Sequence, residues 1–168
     1  MQYANTKDLL SHVGTSVQAL ADVATPDDLA VVPGDLLRAT IEGTDRSAFA
    51  ADEIIAVDAA LANIQKALNF AGDKMRGRLR NRYPDNNTIV GDANLIDINC
   101  NMAIYKLWGL RGDEDITRRN TEALKDLNLI VTGVIHIGVE TASAATAVGH
   151  PEVSHPPSVF GRDDLKDF

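Results

Sequence analysis

A chain of 168 residues, 45% of them hydrophobic, has the apolar material for one domain with a sizeable core, which excludes a wholly disordered polymer. Its formal net charge of -8 argues against a surface that wraps nucleic acid by neutralising phosphates. The one cysteine, Cys100, excludes an internal disulfide, and no apolar run nears the roughly 20 residues of a membrane span.

In chain order, Thr6 followed by Lys7-Asp8-Leu9-Leu10 predicts a short helix capped by the threonine and closed by Gly14. A second short helix is expected over Ser16 to Ala24. Pro26, Pro33, Gly34 and Gly43 then break the pattern, leaving room for a turn or two around Leu29 and Leu36-Leu37.

From about Ser47 the period becomes regular. Ile54, Val57, Leu61, Ile64, Leu68, Ala71, Met75 and Leu79 recur at steps of three and four, the mark of one continuous apolar stripe on a long helix. The stripe runs through Gly72 and Gly77 without losing phase, so its burial must outweigh a cost of roughly 1 kcal/mol for each glycine. Close approach of another backbone is one reason to keep them. Pro84 disfavours helix at Tyr83 and supplies the stop. At 1.5 Å per residue this element would reach on the order of 45 to 50 Å.

Asp85-Asn86-Asn87 reads as a polar turn, with Asp92 or Asn94 capping the next helix. Leu95, Ile98, Met102, Tyr105 and Trp108 share one face there, and Ile104 and Leu107 widen it, so this helix over Asn94 to Leu110 is expected to be central. Cys100 in that run reads as a buried thiol. Gly112 is the expected stop, and Asp113-Glu114-Asp115 the acidic start of a third long helix marked by Ile116, Ala123, Leu124, Leu127 and Val131. Beyond Gly133, the β-branched run Val134, Ile135, Ile137, Val139 is strand-like, and His150-Pro151 and His155-Pro156-Pro157 enforce an extended path. The fold class expected is therefore mainly α: a small helical bundle built on one long helix, residues 1–133, followed by an extended C-terminal arm, residues 134–168, with room for a short β-strand.

Chemistry-bearing motifs are sparse. His12, His136, His150 and His155 lack the spacing of a metal site, and no phosphate-cradling glycine loop or nucleophile elbow occurs, so neither catalysis nor a cofactor has positive support. The densest charge feature is Lys74, Arg76, Arg78, Arg80 and Arg82 near the end of the long helix. Helical geometry puts Lys74, Arg78 and Arg82 on one flank of the stripe and Arg76 and Arg80 on the other. Such cations suit a helix C-terminus with their heads in water. They also make a candidate intersubunit or DNA-facing surface, with ion pairs between subunits favoured over DNA by the acidic balance. The last residues, Phe160-Gly161-Arg162-Asp163-Asp164-Leu165-Lys166-Asp167-Phe168, place two of the four phenylalanines around mixed charges, which suits a docking peptide, with packing on the chain's own core as the plain alternative. The opening residues Met1 to Asn5 lack the charged and apolar regions of a signal peptide, so a soluble protein assembled in a cytoplasm, without a membrane partner, is expected.

Arg80-Asn81-Arg82-Tyr83-Pro84 at the end of a long helix, a Cys/Tyr/Trp-containing helix after it, and the closing Phe160-x-Arg162-Asp163-x-Leu165-x-x-Phe168 resemble the Mu-like neck proteins of tailed bacteriophages, themselves similar to head-tail connector (adaptor) proteins. The resemblance covers roughly residues 3 to 24, 50 to 133 and 158 to 168, with 25–47 as a variable insertion. It implies a non-enzymatic virion protein of the neck that forms a homo-oligomeric, dodecameric ring below the portal. Such a ring extends the DNA channel and meets the next neck or tail-completion protein, with DNA passing through it without sequence-specific binding. Phe160, Arg162, Leu165 and Phe168 become docking residues for a neighbouring subunit or the portal. A tail-completion or stopper protein of the same neck is the nearest alternative, and a small helical DNA-binding regulator resting on Lys74 to Arg82 is the alternative of a different class.

Overall fold

A computed structural model describes residues 3–109 and 113–137, with the side chains of residues 86 and 87 outside that description. Among these residues the chain forms six α-helices and no strand: α1 (Thr6–Val13), α2 (Val17–Ala24), α3 (Gly34–Glu42), α4 (Ala51–Leu79), α5 (Ala93–Trp108) and α6 (Glu114–Thr132), with a short 3-10 turn over Asn86–Ile89. The mainly α expectation holds. The helix expected to run to Leu110 and stop at Gly112 ends earlier, at Trp108, where Gly109 takes a positive φ of 53° and its N–H returns to the Tyr105 carbonyl. Everything expected of residues 138–168, including Val139, His150, His155 and the terminal peptide, lies outside the described residues.

The helix starts follow side-chain chemistry. Asn5, not Thr6, caps α1: its Oδ1 accepts from the N–H groups of Lys7 and Asp8 at 2.8 and 3.1 Å, while Asp8 accepts in return from the Asn5 N–H at 2.8 Å. Asp92 caps α5 and Asp113 caps α6 by accepting from backbone N–H groups of the first turn. At the start of α4 no side-chain acceptor is available from Ala50, and Glu53 compensates by accepting from the Ala50 N–H at 2.9 Å.

The helix α4 is the spine. Its 29 residues span about 43 Å, slightly less than the sequence suggests because it begins at Ala51 rather than Ser47 and ends at Leu79, before Tyr83 and Pro84. It touches each of the other five helices, packing most extensively on α5, which in turn packs on α6, while α1, α2 and α3 close over α4 and α5 from another side. The inner face of α4 is broader and smaller-grained than the stripe predicts. Val57, Ile64, Leu68, Ala71, Met75 and Leu79 are buried as expected, but Ala56, Ala60, Ala67 and Gly72 join them, and Ile54 and Leu61 are only half-buried. Small residues let neighbouring helices approach where a strict three-four stripe of large side chains would hold them apart. The two glycines differ. Gly72 is buried, whereas Gly77 is exposed and an added Cβ there would meet no atom within 4 Å, so close backbone approach does not explain it.

Three further expectations change. Residues 34–42 form a full helix rather than isolated turns, and Leu36 and Leu37 are wholly buried in the shared core. The sequence obscures it because Pro33 and Gly34 read as breakers; Gly34 is there because the backbone of Gln18 comes within 3.1 Å of where its Cβ would be. The Gln18 side chain then accepts from the Gly34 N–H at 2.7 Å and donates to the Val32 carbonyl at 3.1 Å, tying α2 to the entrance of α3. In α5, Tyr105 is turned outward, 39% exposed, while Asn99 and Asn101 take buried positions. Finally, Val134 to Ile137 make no strand. Gly133 adopts a left-handed φ of 85°, and the N–H groups of Val134 and Ile135 both return to the Leu129 carbonyl, at 2.9 and 3.2 Å. The β-branched run thus closes α6 and delivers Ile137 to the core, where it is 2% exposed.

Candidate functional site

Among the described residues a concave surface lies between α4, α5 and α6, a groove of about 750 Å³. Helical spacing builds it. Phe70, Lys74 and Arg78 repeat every four residues along one line of α4; Met102, Tyr105, Lys106 and Gly109, at steps of three, one and three, share one face of α5, and Asn120 and Leu124 lie four apart on α6. Phe70, 41% exposed, is gripped by two ammonium groups, Lys74 from its own helix and Lys106 from α5, with Nζ atoms 4.6 and 4.8 Å from the ring centroid. Arg78 is fixed from the opposite wall by donating from Nη1 to Asn128 Oδ1 at 3.2 Å. Among the described residues no carboxylate forms an ion pair with Lys74, Arg78 or Lys106. The groove therefore combines apolar and aromatic walls with three positive charges in a chain of net charge -8.

The basic cluster seen in sequence is divided by the fold. Lys74 and Arg78 enter the groove. Arg76 sits 3.3 Å from Asp73 in an i,i+3 pair, and its charge also reaches the buried Tyr3, whose phenol burial pushes up and Arg76 pulls part of the way back. Arg80 is exposed at the end of α4. Arg82 lies beyond the helix, where its guanidinium is 3.3 Å from His136 Nδ1, donates to the Tyr83 hydroxyl at 3.3 Å and stands 5.6 Å from the Tyr83 ring. The flank predicted to hold Lys74, Arg78 and Arg82 thus ends one turn early, because α4 stops at Leu79. Phe160, Arg162, Leu165 and Phe168 lie outside the described residues. Phe70, Tyr105 and Lys106 were not nominated by the sequence; the four-residue repeat of Phe70, Lys74 and Arg78 was a usable signal, but the meeting of α4 with Lys106 is tertiary.

A second polar constellation joins α1 to α5. His12 Nδ1 is 3.3 Å from Asp97 Oδ1, its Nε2 is 3.1 Å from Asn101 Oδ1, and Asn101 Nδ2 donates to the Asp97 carbonyl and carboxylate, both at 3.1 Å. Both ring nitrogens are engaged within the chain, so the network clamps two helices. Among the described residues no group of three His, Cys, Asp or Glu side chains is placed to hold a metal ion. Cys100 is fully buried, and burial, with smaller contributions from Asp8 and Asp97, pushes its thiol up to about 12, which keeps it protonated and unreactive. Beside it Asn99 is wholly buried with neither side-chain polar atom partnered.

No curated protein and no solved structure matches the chain. The protein family described as Bacteriophage Mu, Gp36 matches it over residues 3–154, a span that includes residues 25–47 and all six helices. A match of that extent shows the family: this chain belongs to the bacteriophage Mu Gp36 family.

Proposed function

We propose that this protein is a structural component of a tailed bacteriophage, a head-tail connector that assembles as a ring below the portal, extends the DNA channel and joins head to tail without catalysing a reaction. The observation that carries the reading is membership of a phage protein family over nearly the whole chain. The helical body and the neck-protein pattern of Arg80 to Pro84 and Phe160 to Phe168 support the same assignment. The charge balance fits the task, since a channel subunit of net charge -8 repels phosphate and lets DNA slide instead of holding it. The division of Lys74, Arg76, Arg78, Arg80 and Arg82 among separate surroundings weighs against a regulator that grips duplex DNA, which needs its cations on one continuous surface.

In this reading the terminal Phe160, Arg162, Leu165 and Phe168 dock onto a neighbouring chain, with the aromatic side chains as anchors. Removal of residues 159–168 tests it. The truncated protein should keep its helical circular dichroism and fail to attach to purified portal-bearing heads in an in vitro joining assay. Normal joining by the truncated protein would sink the docking role.

A further inference from the structure

The groove between α4, α5 and α6 has the chemistry of a receptor for a peptide that presents carboxylates together with apolar side chains. Lys74, Arg78 and Lys106 crowd one surface with no carboxylate paired to them among the described residues, and an arriving anion would relieve their mutual repulsion. The aromatic side chains Phe70 and Tyr105 are left 41% and 39% exposed in the single chain, and Met102 and Leu124 provide apolar wall beneath the charges. A partner must therefore bring carboxylates and large apolar side chains together on a short segment.

The chain carries such a segment outside its described residues. Between positions 160 and 168 stand Asp163, Asp164 and Asp167, interleaved with Phe160, Leu165 and Phe168; Arg162 and Lys166 reduce the side-chain balance of the segment to -1, so the fit rests on the aspartates facing the groove and the two cations facing away from it. We propose that the groove receives residues 160–168 from a second copy of this chain, with the aspartates set against Lys74, Arg78 and Lys106 and the apolar side chains laid on Phe70 and Tyr105. The intervening residues 138–159 can extend up to about 75 Å, enough to cross from one subunit to the next. The second copy rests on the ring proposed above. The match of peptide to groove does not, and it is testable without heads or portal.

A fluorescein-labelled peptide of residues 158–168 is titrated into the full chain at low salt, followed by anisotropy. Saturable binding is expected, weakened by about tenfold or more in the full-length Lys74→Glu/Lys106→Glu variant and when Asp163, Asp164 and Asp167 of the peptide become Asn. Both changes lie on exposed positions of the receptor, and circular dichroism confirms its fold. Absence of binding, or equal binding by both receptors, overturns the proposal, as does preference of the groove for a single-stranded oligonucleotide over the peptide. A mixing experiment identifies the donor. Full-length Lys74→Glu/Lys106→Glu and full-length Asp163→Lys/Asp164→Lys should each sediment as monomers, and their mixture should form pairs, because one retains the tail and the other the groove. A mixture that stays monomeric overturns the second copy as the source. Loss of this contact with head joining intact removes only this inference, whereas an intact contact in a protein that plays no part in joining removes the connector role.

Discussion

Replacing the buried Asn99 by alanine should stabilise the protein, the reverse of the usual result for a core truncation. Asn99 is 0% exposed in the middle of α5, and neither its Oδ1 nor its Nδ2 has a hydrogen-bond partner. A buried polar group left unpaired costs about 1–3 kcal/mol of desolvation. Truncation removes both groups and adds about 0.5 kcal/mol of helix propensity, alanine being the best helix former. Against this stands the void left behind, roughly 25 Å³ at about 24 cal/mol per Å³, or near 0.6 kcal/mol. The sum favours Asn99→Ala by about 1–3 kcal/mol, which at about 2–4 °C per kcal/mol is a rise of several degrees in Tm. Urea denaturation followed at 222 nm reads the free energy, with an unchanged m-value showing that the native and denatured states keep their compactness. A variant less stable than the parent by 1 kcal/mol or more would refute the reasoning and mean that the amide is bonded in the folded protein.

Three other substitutions or conditions give clear expectations. Gly77→Ala, at an exposed helical site where the new methyl meets nothing within 4 Å, should stabilise by about 0.5–1 kcal/mol in the same urea assay, and a loss of stability would contradict the open space around it. Gly133→Ala should destabilise by about 1–2 kcal/mol, because the residue holds φ at 85° and the methyl would collide with the Arg82 guanidinium, which must then leave its place; unchanged stability would argue against the left-handed closure of α6. Cys100 should be inert to a thiol reagent in the folded protein and react fully in denaturant. Since its folded pKa of about 12 exceeds the ordinary 9.0, the folded state retains the proton longer, so the associated stability is whole below pH 9 and declines as pH rises toward 12. Cys100→Ala should flatten that alkaline decline, and identical pH curves for the two proteins would remove the thiol as its source.

Much of this fold is legible because its long helices write their period plainly. The α4 stripe from Val57 to Leu79, the acidic start of α6 and the stop at Gly133 all follow from local rules that the tertiary structure respects. The helix α3 is not legible, because Pro33 and Gly34 look like punctuation until Gln18 is seen bonding across the turn. Val134 to Ile137 deceive for a related reason: β-branched residues favour strands where a partner strand exists, and here the left-handed Gly133 turns them back onto α6 instead. The groove was half visible, through Lys74 and Arg78. Its aromatic centre was not, since Phe70 joins Lys106 only when α4 and α5 pack together. Tyr105 shows the limit of face assignment in a helix apolar on several sides, where periodicity alone does not choose the residue that turns outward.

The most direct test of the connector assignment is a reconstruction of the neck of the phage particle that carries this protein. The account predicts a closed ring of copies of this chain directly below the portal, encircling the DNA channel, with residues 160–168 of each copy seated on an adjacent chain. Its absence from the particle, or its position lower in the neck with another protein filling the layer beneath the portal, would contradict the account.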